Sequence, residues 1–248
     1  SYKIMRWKTL RYGSFWRENM DNCFACNGGT FTTTDTCFME CVECGLFVNT
    51  KYPSREELRE ELKNFTLTSQ RSEPVREVRA AHARHQLDVI EEVAPNKGRI
   101  FDVGCGHGVF LREAQKRGWH PRGNDISSAA TNLELNHINE HIFCGYFEQL
   151  GFEEGEYDVV VMCHSLEHLH NPKKDLVKAY TMLKKGGILS VEVPERNLST
   201  LKKFLEVNHH VEFNKKNLRK IIEDTGFKVL LHYSEGDENQ SQSILCQK

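Results

Sequence analysis

Three groups of residues in this 248-residue chain have types and spacings suited to chemistry. The first is Cys23-x-x-Cys26, then fourteen residues, then Cys41-x-x-Cys44. Two such pairs can place four thiolates around one tetrahedral Zn²⁺, each pair turning tightly so that both sulfurs face one point. Four protein ligands close the site, so the metal would hold structure and not activate water. Asn27-Gly28-Gly29 and Gly45 supply the permissive backbone for those turns. Cys37 lacks a partner at this spacing and reads as a packed thiol. The second group is Asp102, the turn Gly104-Cys105-Gly106-His107-Gly108, and Asp125 seventeen residues beyond it. Glycines at a strand-to-helix turn let a ligand approach the backbone, and a carboxylate after the next strand can accept both hydroxyls of a ribose. The third group is His164, Glu167 and His168 with the pair His209-His210, a set able to take a proton near neutral pH. His164-x-x-Glu167-His168 is also the inverted zinc-protease string, and two histidines four apart could hold a divalent ion.

The elements needed to position these groups can be read from periodicity and punctuation. Residues 30–36 and 46–48 read as short strands of a zinc ribbon, and Ser54 caps a charged helix with Glu57 at its third position. Val75, Val78, Ala81, Leu87, Ile90 and Ala94 recur near helical spacing, so a helix over 74–94 is expected to pack on a sheet through that face. Strands are expected at 99–103, up to Asp125, at 141–144, at 157–163 and after the Leu183 turn, with 227–233 and 241–247 as a terminal hairpin. Helices fall between them: one from the glycine turn to Arg117, one capped by Ser127, one opening at Asn171-Pro172 and one over 214–226. This alternation predicts an α/β fold with a doubly wound, mostly parallel sheet. The expected organisation is an arm and zinc-ribbon module over 1–52, a helical linker over 53–73 and the α/β domain over 74–248.

A dinucleotide fingerprint would place a third glycine five residues after Gly104, where this chain has Val109. FDVGCGHGVF instead resembles motif I of the class I S-adenosylmethionine-dependent methyltransferases, and the likeness runs from about residue 75 to 248. The resemblance implies a Rossmann-like seven-stranded sheet and S-adenosylmethionine as cofactor. It places Asp102 beside the methionine amino group, gives Gly104, Gly106 and Gly108 the task of making room, and puts Asp125 and Ile126 at the ribose. Cys105, Phe110, Cys163 and His164 would line the same site. Tyr146 stands where relatives carry an acid for the adenine amine, so that contact falls to Tyr146 and Phe147. Glu167-His168 matches the family's Glu-His after the fourth strand, with His168 toward the acceptor; some relatives in quinone biosynthesis place a divalent ion near this segment. Two CxxC pairs leading into GLFVNTKYPS resemble the ribbon on bacterial methyltransferases of natural-product and surface-sugar pathways.

Composition bounds what remains. Apolar residues at 39% and charged residues at 27% are ordinary for a globular protein, and no apolar run reaches the roughly 18 residues of a membrane helix. Without an apolar secretory core at its start, the chain is expected in the cytoplasm, where nine cysteines favour metal over disulfides. A net charge of −2 argues against nucleic acid as the partner, although Lys3, Arg6, Lys8, Arg11 and Arg17 form an acid-free arm. The expected activity is methylation of oxygen or nitrogen on a small molecule, such as a sugar or nucleotide-linked sugar, with a histidine as base. The competing readings are an RNA-directed methyltransferase or ribbon adaptor using the basic arm, and a nicotinamide oxidoreductase, which Val109 disfavours.

Overall fold

The computed structural model describes residues 3–6, 22–33, 37–51, 53, 56–60, 73–127, 142–195, 209–235 and 241–248. Its strands are β1 (Lys3–Arg6), β2 (Thr30–Thr33), β3 (Phe38–Cys41), β4 (Phe47–Asn49), β5 (Arg99–Val103), β6 (His120–Asp125), β7 (Ile142–Cys144), β8 (Tyr157–Cys163), β9 (Leu183–Pro194), β10 (Val211–Glu212), β11 (Lys228–Glu235) and β12 (Ser241–Gln247). The long helices are α1 (Glu73–Val93), α2 (Val109–Lys116), α3 (Pro172–Met182) and α4 (Lys215–Glu223).

Seven strands form one sheet in the order β11-β12-β9-β8-β5-β6-β7. β7, β6, β5, β8 and β9 are mutually parallel, while β12 runs antiparallel between β9 and β11. Successive strand residues point to opposite faces, and here both faces are covered. Ile100, Val159, Val161 and Ile188 pack with Leu87 and Ile90 of α1 and Leu111 of α2. Their neighbours Phe101, Val160, Met162 and Leu189 turn the other way, onto Leu176 and Ala179 of α3 and Ile221 of α4. That double cover explains the unbroken apolar run at 157–163 and bears out the α/β fold. Each fully buried branched side chain adds about 1.5–3 kcal/mol, so cutting Ile90 to alanine should cost several kcal/mol.

Local chemistry sets the helix starts. The Asn171 side chain accepts from Lys174 N at 3.1 Å with Pro172 in the first turn. Asn214 and Asn217 exchange two 2.9 Å bonds at the start of α4.

Three expectations are corrected. α1 buries Ala80, Ala83, Leu87 and Ile90, spaced 3, 4 and 3, whereas Val78 is 70% exposed and Ala81 is exposed. The early turns of this helix wall a cleft and do not pack on the sheet, so the inward face is shifted from the one expected. The Lys184–Gly187 turn is absorbed into β9 as an irregularity: Tyr157 pairs with Leu183, yet Val159 pairs with Ile188. Gly186 takes φ 80° there. Three further strands, β1, β3 and β10, have no counterpart in the sequence reading.

The cysteine region forms a second, antiparallel sheet in the order β1-β2-β3-β4-β10. Its last strand comes from residues 211–212, so this sheet is completed by chain far downstream. Phe31, Met39, Leu46 and Val48 join the same buried cluster as the α3/α4 face of the large sheet. Residues 56–60 are helical, with Leu58 buried. The expected caps at Ser54 and the helix after Ser127, like most of the basic arm, fall outside the described residues.

Candidate functional site

A cleft of about 790 Å³ opens where β5, β6, β8 and β9 end, the carboxyl edge at which open α/β sheets bind ligands. One half is built by the glycine turn. Gly104, Gly106 and Gly108 take φ of 74°, 51° and 68°, the left-handed region that glycine enters without strain. Crowding and openness alternate along it. A Cβ on Gly104 would lie 2.9 Å from Ser165 Cβ, whereas one on Gly106 would project into open space. Gly123 of β6 is packed so closely that a Cβ would stand 2.7 Å from Asp102 O.

Asp125 ties the turn in place: Oδ2 accepts from Gly106 N at 3.0 Å and Oδ1 from Ser127 N at 2.8 Å. Burial raises its carboxyl above the usual range, and the two backbone N–H groups partly offset that. Asp102 is deeper, and burial together with the negative Asp125 pushes it well above its ordinary value. Asp102, Gly104, Cys105, Gly106, Phe110, Asp125 and Ile126 all line the cleft. So do Tyr146, Phe147, Cys163 and His164. Gly108 does not; it stands at the N-cap of α2.

The other half is a network of histidines and carboxylates. β8 ends in Cys163, and His164 follows at φ 49°, a left-handed conformation uncommon outside glycine. His164 Nε2 sits 3.1 Å from Glu192 Oε1, and Nδ1 sits 3.6 Å from Glu167 Oε1. The second Glu192 oxygen takes Gln86 Nε2 at 2.8 Å and His82 Nε2 at 3.1 Å. Burial favours the neutral forms, but the contacts win. The nearby carboxylates of Glu167 and Glu192 raise His164 to about 10, and His164 and His82 lower Glu192 to about 2. At neutral pH His164 is therefore an imidazolium, a hydrogen-bond donor and not a base.

Glu167 is 1% exposed, and among the described residues neither of its oxygens accepts a hydrogen bond within 3.5 Å. Burial raises it, yet His164, His168 and His209 together hold it below its usual value. His209 Nδ1 lies 2.7 Å from Glu212 Oε1; burial opposes its charge, but this bond raises it. The rings of His168 and His209 meet edge to face at 4.7 Å, and donor atoms of Glu167, His168 and His209 lie within 4.8 Å of one another. His210 is placed elsewhere. It does not line the cleft, its Nδ1 bonds Leu169 O at 2.8 Å, and burial drives it down to about 3.

Sequence reasoning missed His82, Gln86 and Glu192. Glu192 carried a usable signal, an acid inside the apolar strand ILSVEV, because a buried strand carboxylate needs partners. His82 and Gln86 had none, being polar residues on a helix read only for its apolar face.

The four cysteines converge. Cys23 and Cys44 sulfurs are 3.7 Å apart, those of Cys26 and Cys41 are 3.5 Å apart, and all four lie within 4.8 Å of one another. A Zn–S bond of about 2.3 Å in a tetrahedron sets sulfurs about 3.8 Å apart, so the spacing fits. The crowded sulfurs act on one another, raising Cys23 and lowering Cys44.

Strand order, the glycine turn and the acid at the end of β6 define a class I methyltransferase fold. Solved structures agree. A SAM-dependent methyltransferase from Archaeoglobus fulgidus superposes with TM-score 0.58 and 20% identity, covering 79% of this chain and all of that one. Magnesium protoporphyrin IX methyltransferase from Synechocystis, with SAH bound, gives TM-score 0.61 at 16% identity over the same shares. The profile of a methyltransferase-domain family matches residues 75–232, and the chain belongs to that family. Curated relatives include ubiquinone biosynthesis O-methyltransferases. That of Ralstonia nicotianae is 30% identical over 119 residues, 45% of this chain and 50% of its own length. That of Coxiella burnetii is 27% identical over 155 residues, 58% and 66% respectively. The chain thus spans 44–66% of the length of such curated relatives.

Proposed function

We propose that this protein is an S-adenosylmethionine-dependent methyltransferase acting on an oxygen or nitrogen of a small molecule. The observation that carries the reading is the turn at 104–108, left-handed at three glycines, open at Gly106 and bonded to Asp125. Gly104 and Gly106 give a methionine and ribose portion access to the backbone, and the free lone pairs of Asp125 accept the ribose hydroxyls. Asp102, pushed toward neutrality by burial, regains a stabilised charge beside an ammonium group. Phe147 and Tyr146 flank the base. When bound, the cofactor supplies a sulfonium-activated methyl carbon, which the acceptor's lone pair attacks in line while the C–S bond breaks.

The remaining work falls to the chain. Positioning and exclusion of water account for much of such an acceleration, because charge disperses along the reaction. With His164 already protonated and His209 bonded to Glu212, we assign the acceptor's proton to His168. Glu167 beside it stabilises the imidazolium that results. The name of the ubiquinone O-methyltransferases favours oxygen as the acceptor atom, while a sugar or another surface or secondary metabolite stays within the same class. The four cysteines hold a structural Zn²⁺ in a ribbon over 1–52, joined by 53–73 to the methyltransferase domain over 74–248. Among the described residues no helix is long and apolar enough to cross a membrane.

The fold by itself does not decide catalysis. The [4+2]-cyclase SpnF superposes with TM-score 0.56 at 16% identity. Titration with S-adenosylhomocysteine against NADH, followed by an acceptor screen with methyl-labelled S-adenosylmethionine, tests the proposal. Binding of the former and label transfer support it; binding of NADH alone refutes it.

A further inference from the structure

The last residue of β4 lies where the cysteine module meets the cleft. Asn49 is 7% exposed, and its N–H and both ends of its side-chain amide are engaged. Its N–H donates to His210 O at 2.9 Å, Nδ2 donates to His209 O at 3.1 Å, and Oδ1 accepts from Lys51 N at 2.9 Å. Next to it, β4 pairs with β10 through Val48–Val211 and Phe47–Glu212. The far side of the same segment rests on the turn that bears Glu167 and His168: His210 N donates to Glu167 O at 2.8 Å, and the His210 ring bonds Leu169 O. Residues 209–212 are therefore a bridge, with one side on the module and the other on the acceptor side of the cleft. A second tie closes the frame, since Nδ2 of both Asn214 and Asn217 reaches Cys44 O at 3.4 Å, within the second cysteine pair.

This frame fixes His209 from two directions. The amide of Asn49 sets the peptide plane from which the ring projects, and Glu212 sets the ring's rotation through the 2.7 Å bond. The ring so held meets His168 edge to face. Asn49 does not line the cleft, so any effect it has on the reaction must run through His209.

We propose that Asn49 is a positioning residue for the acceptor half of the site: through the His209 carbonyl it transmits the rigidity of the four-cysteine module to the His168–His209 pair. The module is then a working part of the acceptor site and not an appendage. The proposal rests on the methyltransferase reading for its kinetic readout, but its spectroscopic readout stands without it.

The test uses the whole protein with two variants. Asn49→Leu keeps the side-chain size and removes the donor, and Asn49→Asp keeps the acceptor for Lys51 N while also removing the donor. Asn49→Gln, which restores an amide, is the rescue. Histidine ring C–H resonances are recorded without acceptor. Those of His168 and His209 are expected to move, with the His209 titration midpoint falling toward its ordinary value as the Glu212 bond loosens, while those of His232 on β11 stay fixed. kcat should fall about ten- to a hundredfold, as for a reacting group misplaced by about 1 Å, with recovery in Asn49→Gln. Affinity for S-adenosylhomocysteine should stay within twofold and zinc content unchanged. Folded variants with unmoved His209 resonances and kcat within twofold of the parent overturn the proposal. Failure of both variants to fold overturns it as well, because Asn49 would then hold the fold and not the site. Absence of any cofactor binding in the parent protein would instead sink the methyltransferase reading and leave the resonance test intact.

Discussion

Changing Asp125 to asparagine alters one atom and should disable the cofactor half of the cleft. Both carboxylate oxygens accept backbone N–H groups, from Gly106 at 3.0 Å and Ser127 at 2.8 Å. An amide has one oxygen, so whichever way it turns, its NH₂ faces one of these donors and a hydrogen bond becomes a donor–donor contact. A hydrogen bond to a charged group contributes about 1.5–3 kcal/mol. Losing one loosens the turn at Gly106, and the same rearrangement weakens the bonds offered to a ribose. At about 1.4 kcal/mol per factor of ten, affinity for S-adenosylhomocysteine should fall roughly ten- to a hundredfold. Isothermal titration calorimetry measures this directly, with thermal melting to show that the variant is folded. Asp88→Asn is the control, because that acid pairs with Arg117 on the surface and 64% of its side chain is exposed. An Asp125→Asn protein that is folded and binds within twofold of the parent would falsify the ribose assignment.

Gly106→Val should abolish S-adenosylhomocysteine binding and lower the melting temperature as well, since its side chain enters the open cleft but φ 51° strains a β-branched residue, whereas Gly123→Ala should destabilise the fold through a direct clash, having Asp102 O at 2.7 Å from the new methyl; a folded Gly106→Val protein that binds like the parent would contradict the cradle. The His164–Glu192 pair predicts a stability profile read by urea unfolding across pH. His164 is raised from 6.5 to about 10, so its contribution is complete below pH 6.5 and is lost as pH climbs through 10; Glu192 is lowered from 4.5 to about 2, so its contribution is present above pH 4.5 and is lost as pH falls through 2. Stability from this pair should therefore peak between about pH 4.5 and 6.5, and Glu192→Gln should flatten the decline on the alkaline side, with Glu167, His82 and Gln86 left facing His164 and residue 192. A steep alkaline decline that survives the substitution would assign the effect to other groups. A zinc-release assay should find about one ion per chain, and Cys41→Ser should lower both zinc content and melting temperature; a fully stable, metal-free parent protein would remove the structural role.

How much of this could be read from sequence depended on how local the cause was. The strand at 99–103, the strand at 157–163 and the start of α3 are set by nearby residues: an apolar run, a glycine turn, an Asn-Pro pair. All three appear where expected. Asp125 could be placed for the same reason, since one short helix, one turn and one strand separate it from the glycines. α1 was misread because its apolar residues serve two surroundings, a sheet for Leu87 and Ile90 and a cleft wall for Val78. His210 entered the list of possible bases because periodicity cannot tell which of two adjacent histidines faces a cavity. The structure turns His209 toward the cleft and His210 into a pocket that keeps its ring neutral.

The two halves of the cleft differ in how they are held, and that difference has consequences for design. The methionine and ribose part of the cofactor half is carried by β5, the glycine turn, α2 and β6, 27 residues of continuous chain from 99 to 125, close to a βαβ unit of about 30, with Tyr146 and Phe147 joining it just after β7. The acceptor half needs α1 for His82 and Gln86, β9 for Glu192, the turn after β8 for His168, and a bridge at 209–212 braced by β4 from 160 residues upstream. Its geometry is thus assembled from contacts that no short window of sequence contains. Substitutions in the cysteine module should then shift acceptor kinetics while sparing cofactor affinity, whereas substitutions at the 104–108 turn should do the reverse. A module variant that weakened both equally would mean the halves are not mechanically separate.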